Sequence, residues 1–178
     1  MKIKKTKFKN LIVIKHKRNV DKRGSLRETY IKKKINWDNF LLEYATTSKK
    51  NVLRGLHFQY KNQQAKLVTV LKGKILDVVV DLRKNSKTFG KHYSIILSEK
   101  NCTSLYIPRG FAHGYYSYDK LNIIYYKLSD YYKPQYENGI IWNDKKLGIK
   151  WPNKKPILSK KDVKFGSLAN FSENFKGL

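Results

Sequence analysis

Four stretches of the chain carry side chains able to move protons or fix charge. "VLRGLHFQ" (52–59) sets Arg54 and His57 among apolar residues, "QQAKLV" places Lys66 at the mouth of a strand, and "IPRGFAHGYYSY" puts His113 after a Pro-Arg-Gly turn. "NIIYYKLSDYYKP" supplies Tyr125, Tyr126, Tyr131 and Tyr132. Histidine exchanges protons near neutral pH, a fixed lysine holds developing negative charge, and a phenol can donate a proton. Each residue also has a plainer reading. The histidines can be hydrogen-bonded core residues, Lys66 one more solvated lysine, and the tyrosines sheet filler with their hydroxyls at the surface.

The elements that must position these groups read as strands. "FKNLIVIKH", "GSLRETYI", "NVLRGLHFQ", "AKLVTVL", "GKILDVVVDLR", "KHYSIILS", "TSLYIP", "FAHGYYSY" and "NIIYYKL" are short β-branched or aromatic runs, separated by turn-forming stretches such as "DKRG", "LKGK" and "KNSKTFG". A strand about every ten residues, with no amphipathic helices between, predicts an all-β sandwich or barrel of antiparallel strands. "INWDNFLLEY" reads as a short helix, and a helical turn is expected after Gly166. No repeat, linker or break in composition divides the chain, so residues 1–178 read as one domain. In "KILDVVVDL", alternation puts Leu76, Val78, Val80 and Leu82 on one face and Asp77 and Asp81 on the other. The two aspartates read as turn or surface partners. The same alternation puts Arg54 and His57 on opposite faces unless the strand bulges, and Gly55 is where a bulge is tolerated.

Composition narrows the classes. A hydrophobic fraction of 40% with 13 Tyr, 8 Phe and 3 Trp is that of a globular protein. No apolar run approaches the roughly 18 residues of a membrane span, and the start lacks the long apolar stretch and small-residue cleavage site of a signal peptide. A single cysteine, Cys102, excludes an internal disulfide, and no Cys/His spacing suggests zinc, so a cytoplasmic protein is expected. The net charge of +26 raises nucleic-acid binding. The lysines run from end to end without an RNA-binding aromatic signature or a helix-turn-helix pattern, so no nucleic-acid partner is expected. A positive field favours a phosphate-bearing small substrate.

Taken in order, "DKRGSLRE", "VLRGLHFQ", "QAKLVTVLKGKILDVVVDLRKNSKTFG", "LYIPRGFAHGYYS", "YYKLSDYYKPQYENGIIWND", "IKWP" and "LSKKD" closely resemble the dTDP-4-dehydrorhamnose 3,5-epimerase family across about residues 8–162. The resemblance implies a cupin-type double-stranded β-helix or jelly roll, a homodimer, and a nucleotide-sugar substrate whose 4-keto group loosens the C3 and C5 protons. No cofactor or metal is implied. By position in the motifs, His57 is the base, Asp162 of "LSKKD" orients its imidazole, Tyr126 donates the proton, and Lys66 sits near the 4-keto oxygen. Arg54 and His113 line the same pocket, and Tyr132 is an aromatic beside the base. Arg23 and Glu28 of "DKRGSLRE" correspond to nucleotide contacts contributed by the partner subunit.

The chain departs from the family pattern before "LRGLH", where Leu42, Tyr44 and Thr46 replace a common Q-x-N-x-S, and at Leu26, where an aromatic is common. These positions belong to the nucleotide and sugar ends of the site, while the acid–base set is complete. The alternatives are an epimerase inverting C3 or C5 alone, or acting on another nucleotide sugar such as a GDP-4-keto-heptose. A non-catalytic sugar-nucleotide-binding cupin is a third reading, although a binder has no use for an acid and a base together. A 3,4-ketoisomerase of the same scaffold would not be expected to carry "RGLHFQ" with "LSKKD".

Overall fold

The structure is a computed structural model describing residues 1–178. Two antiparallel sheets face each other. One holds six strands: β1 (Lys2–Lys5), β2 (Ile12–Lys15), β5 (Leu42–Ser48), β7 (Lys66–Lys72), β10 (Thr103–Ile107) and β12 (Asn122–Leu128), in the order β1-β2-β10-β7-β12-β5. The other holds β6 (Leu53–Gln59), β8 (Lys74–Asp81), β9 (His92–Ser98), β11 (Phe111–Ser117) and β13 (Glu137–Gly139), in the order β13-β6-β11-β8-β9. Strands β3 (Arg18–Asp21) and β4 (Gly24–Arg27) pair only with each other, as a hairpin whose Val20 and Leu26 are 71% and 63% exposed. This is the expected all-β, cupin-type arrangement.

Period-2 alternation explains why the interior has three layers. Val68, Val70, Leu105, Ile107, Ile124 and Leu128 of the six-stranded sheet meet Ile75, Val79, Leu97 and Phe111 of the five-stranded one. The outer face of the five-stranded sheet buries Leu56, Phe58, Val78, Val80 and Leu82 beneath helix α1 (Leu168–Phe175), chiefly through Leu168 and Phe171. The outer face of the six-stranded sheet packs Ile12, Ile14, Leu67 and Tyr106 against Ile35, Trp37 and Phe40. Both faces of the central strands are therefore covered, which is why β8 and β11 read as nearly unbroken apolar runs.

Two expectations need correction. "INWDNFLLEY" is not helical: residues 35–41 are irregular, and Leu42 opens β5. Its apolar residues serve two masters, because Ile35, Trp37 and Phe40 cap the outer face while the following stretch pairs with β12. The helix after Gly166 does form. Ser167 starts it with a capping box, accepting from the Asn170 amide while the Asn170 side chain accepts from the Ser167 amide. The second correction concerns Asp77. The face opposite Leu76, Val78 and Val80 is the space between the sheets, and Asp77 is fully buried there. Asp81 is also buried but is a turn partner, accepting from Arg83, Ser86 and Thr88 at the mouth of the following loop.

Candidate active site

The site begins with an irregularity in β6. His113 of β11 pairs with His57 and Tyr115 with Arg54, so three steps along β6 match two along β11. One extra residue is accommodated at Gly55–Leu56, and Arg54 and His57 are turned to the same, inner face. Gly55 has φ +119°, and a Cβ there would lie 2.5 Å from Gly114 Cα and 2.7 Å from the His113 carbonyl oxygen. Only glycine fits, because the two strands touch backbone to backbone.

Around this bulge the sheets enclose a cavity of about 190 Å³. Its five-stranded wall presents Arg54, His57, His113 and Tyr115, and its six-stranded wall presents Tyr44, Thr46, Lys66 and Tyr126. His57 Nε2 lies 2.7 Å from Asp162 Oδ1, whose side chain is 3% exposed, while His57 is 28% exposed. That pairing leaves His57 Nδ1 as the ring nitrogen available to a bound molecule. Burial alone would raise the Asp162 carboxyl, but the hydrogen bond and charge of His57, with Ser159 and the Gly55 amide, hold it below its usual range. Asp162 therefore stays an acceptor, and a carboxylate so placed fixes the tautomer and the orientation of the ring.

The opposite wall is electrostatically distinct. Burial pushes the Tyr126 phenol well above its ordinary value, reinforced by Tyr115, Tyr44 and Asp77 and opposed by Arg54. It is thus a neutral proton donor at any ordinary pH. Tyr44, whose ring centroid is 4.9 Å from that of Tyr126, is pushed up to about 12, chiefly by burial. Burial lowers Lys66 to about 8, with Glu137 and Asp77 pulling the other way. Lys66 remains mostly an ammonium at neutral pH, in a setting where its charge is weakly screened. A base and an acid on facing walls, with a cation on the acid's wall, can remove a proton from one face of a ring, hold an oxyanion, and return a proton to the other.

His113 Nε2 is 2.8 Å from Asp77 Oδ2, and both side chains are buried. Thus His57, Lys66, Tyr126, Arg54 and His113 come together around one cavity, with Asp162 paired to His57. Tyr132 does not line the cavity: it is 52% exposed at the rim, its hydroxyl donating to Glu137 Oε2 at 2.5 Å. Arg23 and Glu28 stand on and beside the exposed hairpin, where Arg23 pairs with Asp21, 2.6 Å away. No group of three or more His, Cys, Asp or Glu is placed to hold a metal. A larger surface groove of about 760 Å³ carries Lys7, Lys9, Lys84 and Lys87 with Arg83 and Arg109, but no histidine or tyrosine. Its arginines are already paired, with Asp81 and Asp38.

The family model for dTDP-4-dehydrorhamnose 3,5-epimerase matches residues 5–170. The chain belongs to that family. It is 41% identical over 169 residues to the dTDP-4-dehydrorhamnose 3,5-epimerase of Salmonella typhimurium, covering 89% of this chain and 91% of that protein. It is 45% identical over 148 residues to the Neisseria gonorrhoeae enzyme of the same name, covering 80% of this chain but spanning only 45% of that protein. A solved dTDP-6-deoxy-D-glucose-3,5-epimerase of Legionella pneumophila, in complex with dTDP-4-keto-L-rhamnose, superimposes with a TM-score of 0.91 at 38% identity. The match covers 94% of this chain and 93% of that one. The chain is accordingly an epimerase, of the isomerase class, with the cupin-type fold of its relatives.

Sequence reasoning left several wall residues of this epimerase unassigned. Tyr115 follows His113 by two on one strand, so period-2 alternation would have put it in the cavity. Its hydroxyl is 2.8 Å from Ser48 Oγ and 3.1 Å from Thr46 Oγ1. Tyr44 and Thr46 were visible only as departures from the family pattern, and both line the cavity. Asp77 carried a usable signal, since it shares the inner face with Ile75 and Val79. Glu137 carried none, because only the pairing of β13 with β6 brings it near His57.

Proposed function

We propose that this epimerase inverts C3 and C5 of a dTDP-4-keto-6-deoxy sugar, without a cofactor, in the synthesis of surface-polysaccharide sugars. The observation that carries the reading is the division of labour between the two walls: the His57–Asp162 pair on one, Tyr126 and Lys66 on the other. His57 Nδ1 takes the proton from the carbon beside the ketone, and the C–H electrons move into the ring to make an enolate. The Lys66 ammonium sits by the enolate oxygen and stabilises it. Tyr126 gives its phenolic proton to the opposite face of that carbon, which inverts it. The resulting phenolate regains a proton and the imidazolium loses one before the second centre reacts. Arg54 faces the same cavity and suits the diphosphate, as a guanidinium binds phosphate oxygens through paired donors. The buried pair with Asp77 holds His113 rigid as a wall against the sugar.

The hairpin supports a homodimer. Val20 and Leu26 are uncovered, and Arg23 and Glu28 are exposed and absent from the lining of the cavity, so in this reading they close a neighbour's site. Tyr132, at the rim, is then the residue a bound sugar meets as it enters.

Two variants test the mechanism, with proton exchange and inversion followed separately in deuterated water. Tyr126→Phe removes the donor but leaves base and cation, so it should exchange a ring proton on one face while inversion falls by about 100- to 10,000-fold. His57→Asn should lose both. Inversion by Tyr126→Phe at the wild-type rate would assign the donor to another group. A panel of NDP-4-keto sugars, GDP-linked heptoses included, identifies the nucleotide and the centres inverted.

A further inference from the structure

The surface groove of about 760 Å³ shares no lining residue with the epimerase cavity, and the proton-transfer scheme gives it no task. Six of its twelve lining residues are cationic, Lys7, Lys9, Arg83, Lys84, Lys87 and Arg109, and none is an aspartate or glutamate. Lys and Arg make up 39 of the 178 residues, so half of this lining is cationic against about a fifth of the chain. A basic composition alone does not account for that concentration. The floor of the groove is fixed. Asp81, at the end of β8, accepts from the Arg83 guanidinium at 2.8 and 2.6 Å, and from the Ser86 and Thr88 hydroxyls at 2.6 Å each. The third guanidinium nitrogen of Arg83 donates to the Lys9 carbonyl at 2.8 Å, and the group lies 4.5 Å from the centroid of Phe111. The segment before β2 is thereby tied to the loop between β8 and β9.

Arg109 is engaged as well, with Asp38 and the Gln63 carbonyl, so both arginines serve the fold. The charges left over are Lys7, Lys9, Lys84 and Lys87, which are exposed and take part in none of the chain's ion pairs. Four ammonium groups on tethered main chain around one concavity repel one another. A multivalent anion relieves that repulsion without first having to order the loops. The rest of the lining narrows the kind of anion. It holds no aromatic ring on which a base could stack, and Leu178 is its one apolar residue, so neither a nucleoside nor the apolar anchor of a protein partner finds a seat. Planar carboxylates are matched best by guanidinium forks, which are occupied here, whereas ammonium groups act as point charges that suit tetrahedral phosphate oxygens. We propose that the groove is a second anion-binding site, separate from the epimerase cavity, that takes a chain of linked phosphate groups.

Isothermal titration calorimetry with inorganic tripolyphosphate, at low salt so that screening is weak, tests the site without any sugar substrate. The double variant Lys84→Gln/Lys87→Gln should weaken binding by about tenfold or more. Lys32→Gln/Lys33→Gln removes the same charge from an exposed turn elsewhere and should change binding by less than about twofold. Arg54→Gln, inside the cavity, should leave the groove's binding in place. ATP, which carries the same chain of phosphates, should bind within about threefold of tripolyphosphate, and hexaglutamate about tenfold more weakly or worse. Equal losses in the two lysine pairs would reduce the effect to general attraction by a basic protein and overturn the inference. Binding lost in Arg54→Gln but kept in Lys84→Gln/Lys87→Gln would move the anion to the cavity and overturn it too. Hexaglutamate held as tightly as tripolyphosphate would assign the groove to an acidic peptide, and a large preference for ATP would mean that the nucleoside is read. Either result would overturn recognition of the phosphates alone.

Discussion

Replacing Lys66 with methionine exchanges a partly buried ammonium for an apolar chain of similar length, and activity and stability should move in opposite directions. Burial lowers Lys66 from 10.5 to about 8. At ~1.36 kcal/mol per unit, that difference corresponds to a net cost of about 3 kcal/mol for the charged form, burial outweighing the attraction of Glu137 and Asp77. The folded value is depressed, so below about pH 8 both states hold the proton and the whole cost is present. Between about pH 8 and about pH 10.5 the unfolded chain binds the proton that the folded chain has released, and stability rises with pH. Lys66→Met should therefore be more stable than wild type near pH 7, by up to about 3 kcal/mol, and the gap should close as pH approaches about 10. Activity runs the other way. In the proposed scheme a charged Lys66 holds the enolate, so wild-type kcat/KM should fall about tenfold by about pH 9, one unit past the midpoint. Lys66→Met should lose about 100- to 1,000-fold at every pH, the usual effect of removing an oxyanion donor. Urea unfolding at both pH values and a pH–rate profile measure the two quantities. A destabilised Lys66→Met, together with a wild-type profile flat to above about pH 9.5, would refute the reasoning.

Gly55→Ala forces a Cβ against Gly114 Cα at a backbone angle that side chains rarely adopt. It should lower stability by more than about 1 kcal/mol and displace His57, seen as a lower Tm with slower deuterium exchange, whereas an unchanged enzyme would show that the bulge does not set the base. The uncovered hairpin predicts a dimer at micromolar concentration by sedimentation, with Arg23→Ala raising KM for the nucleotide sugar while kcat changes little. A fully active monomer would remove Arg23 and Glu28 from the site.

Much of this molecule is written locally. The strands β7, β8, β11 and β12 were legible because their alternation and flanking turns are properties of consecutive residues. The helix after Gly166 was legible for the same reason, since a capping serine and its N3 partner lie three residues apart. The catalytic candidates were legible as ordered motifs, and the bulge was anticipated from Gly55 and the need to turn Arg54 and His57 to one side. What alternation could not say was which face of β8 is inside. It separated Asp77 from Val78, yet in a fold with apolar layers on both sides of a sheet each face is an interior. The irregular path of residues 35–41 was hidden because apolar residues covering a sheet look like the buried stripe of a helix. Pairing between distant strands decided the rest. Glu137 reaches His57's neighbourhood only because β13 adds to the edge of β6, and Tyr132 stands at the rim because that same carboxylate accepts its hydroxyl. The sequence by itself determined most of the elements and the family, and it named the candidate proton-transfer groups, since these depend on residue types and their local spacing. Only the tertiary structure decided which carboxylates back the cavity's histidines and which aromatics stay outside it, because contacts between distant elements join residues that no period along the chain connects.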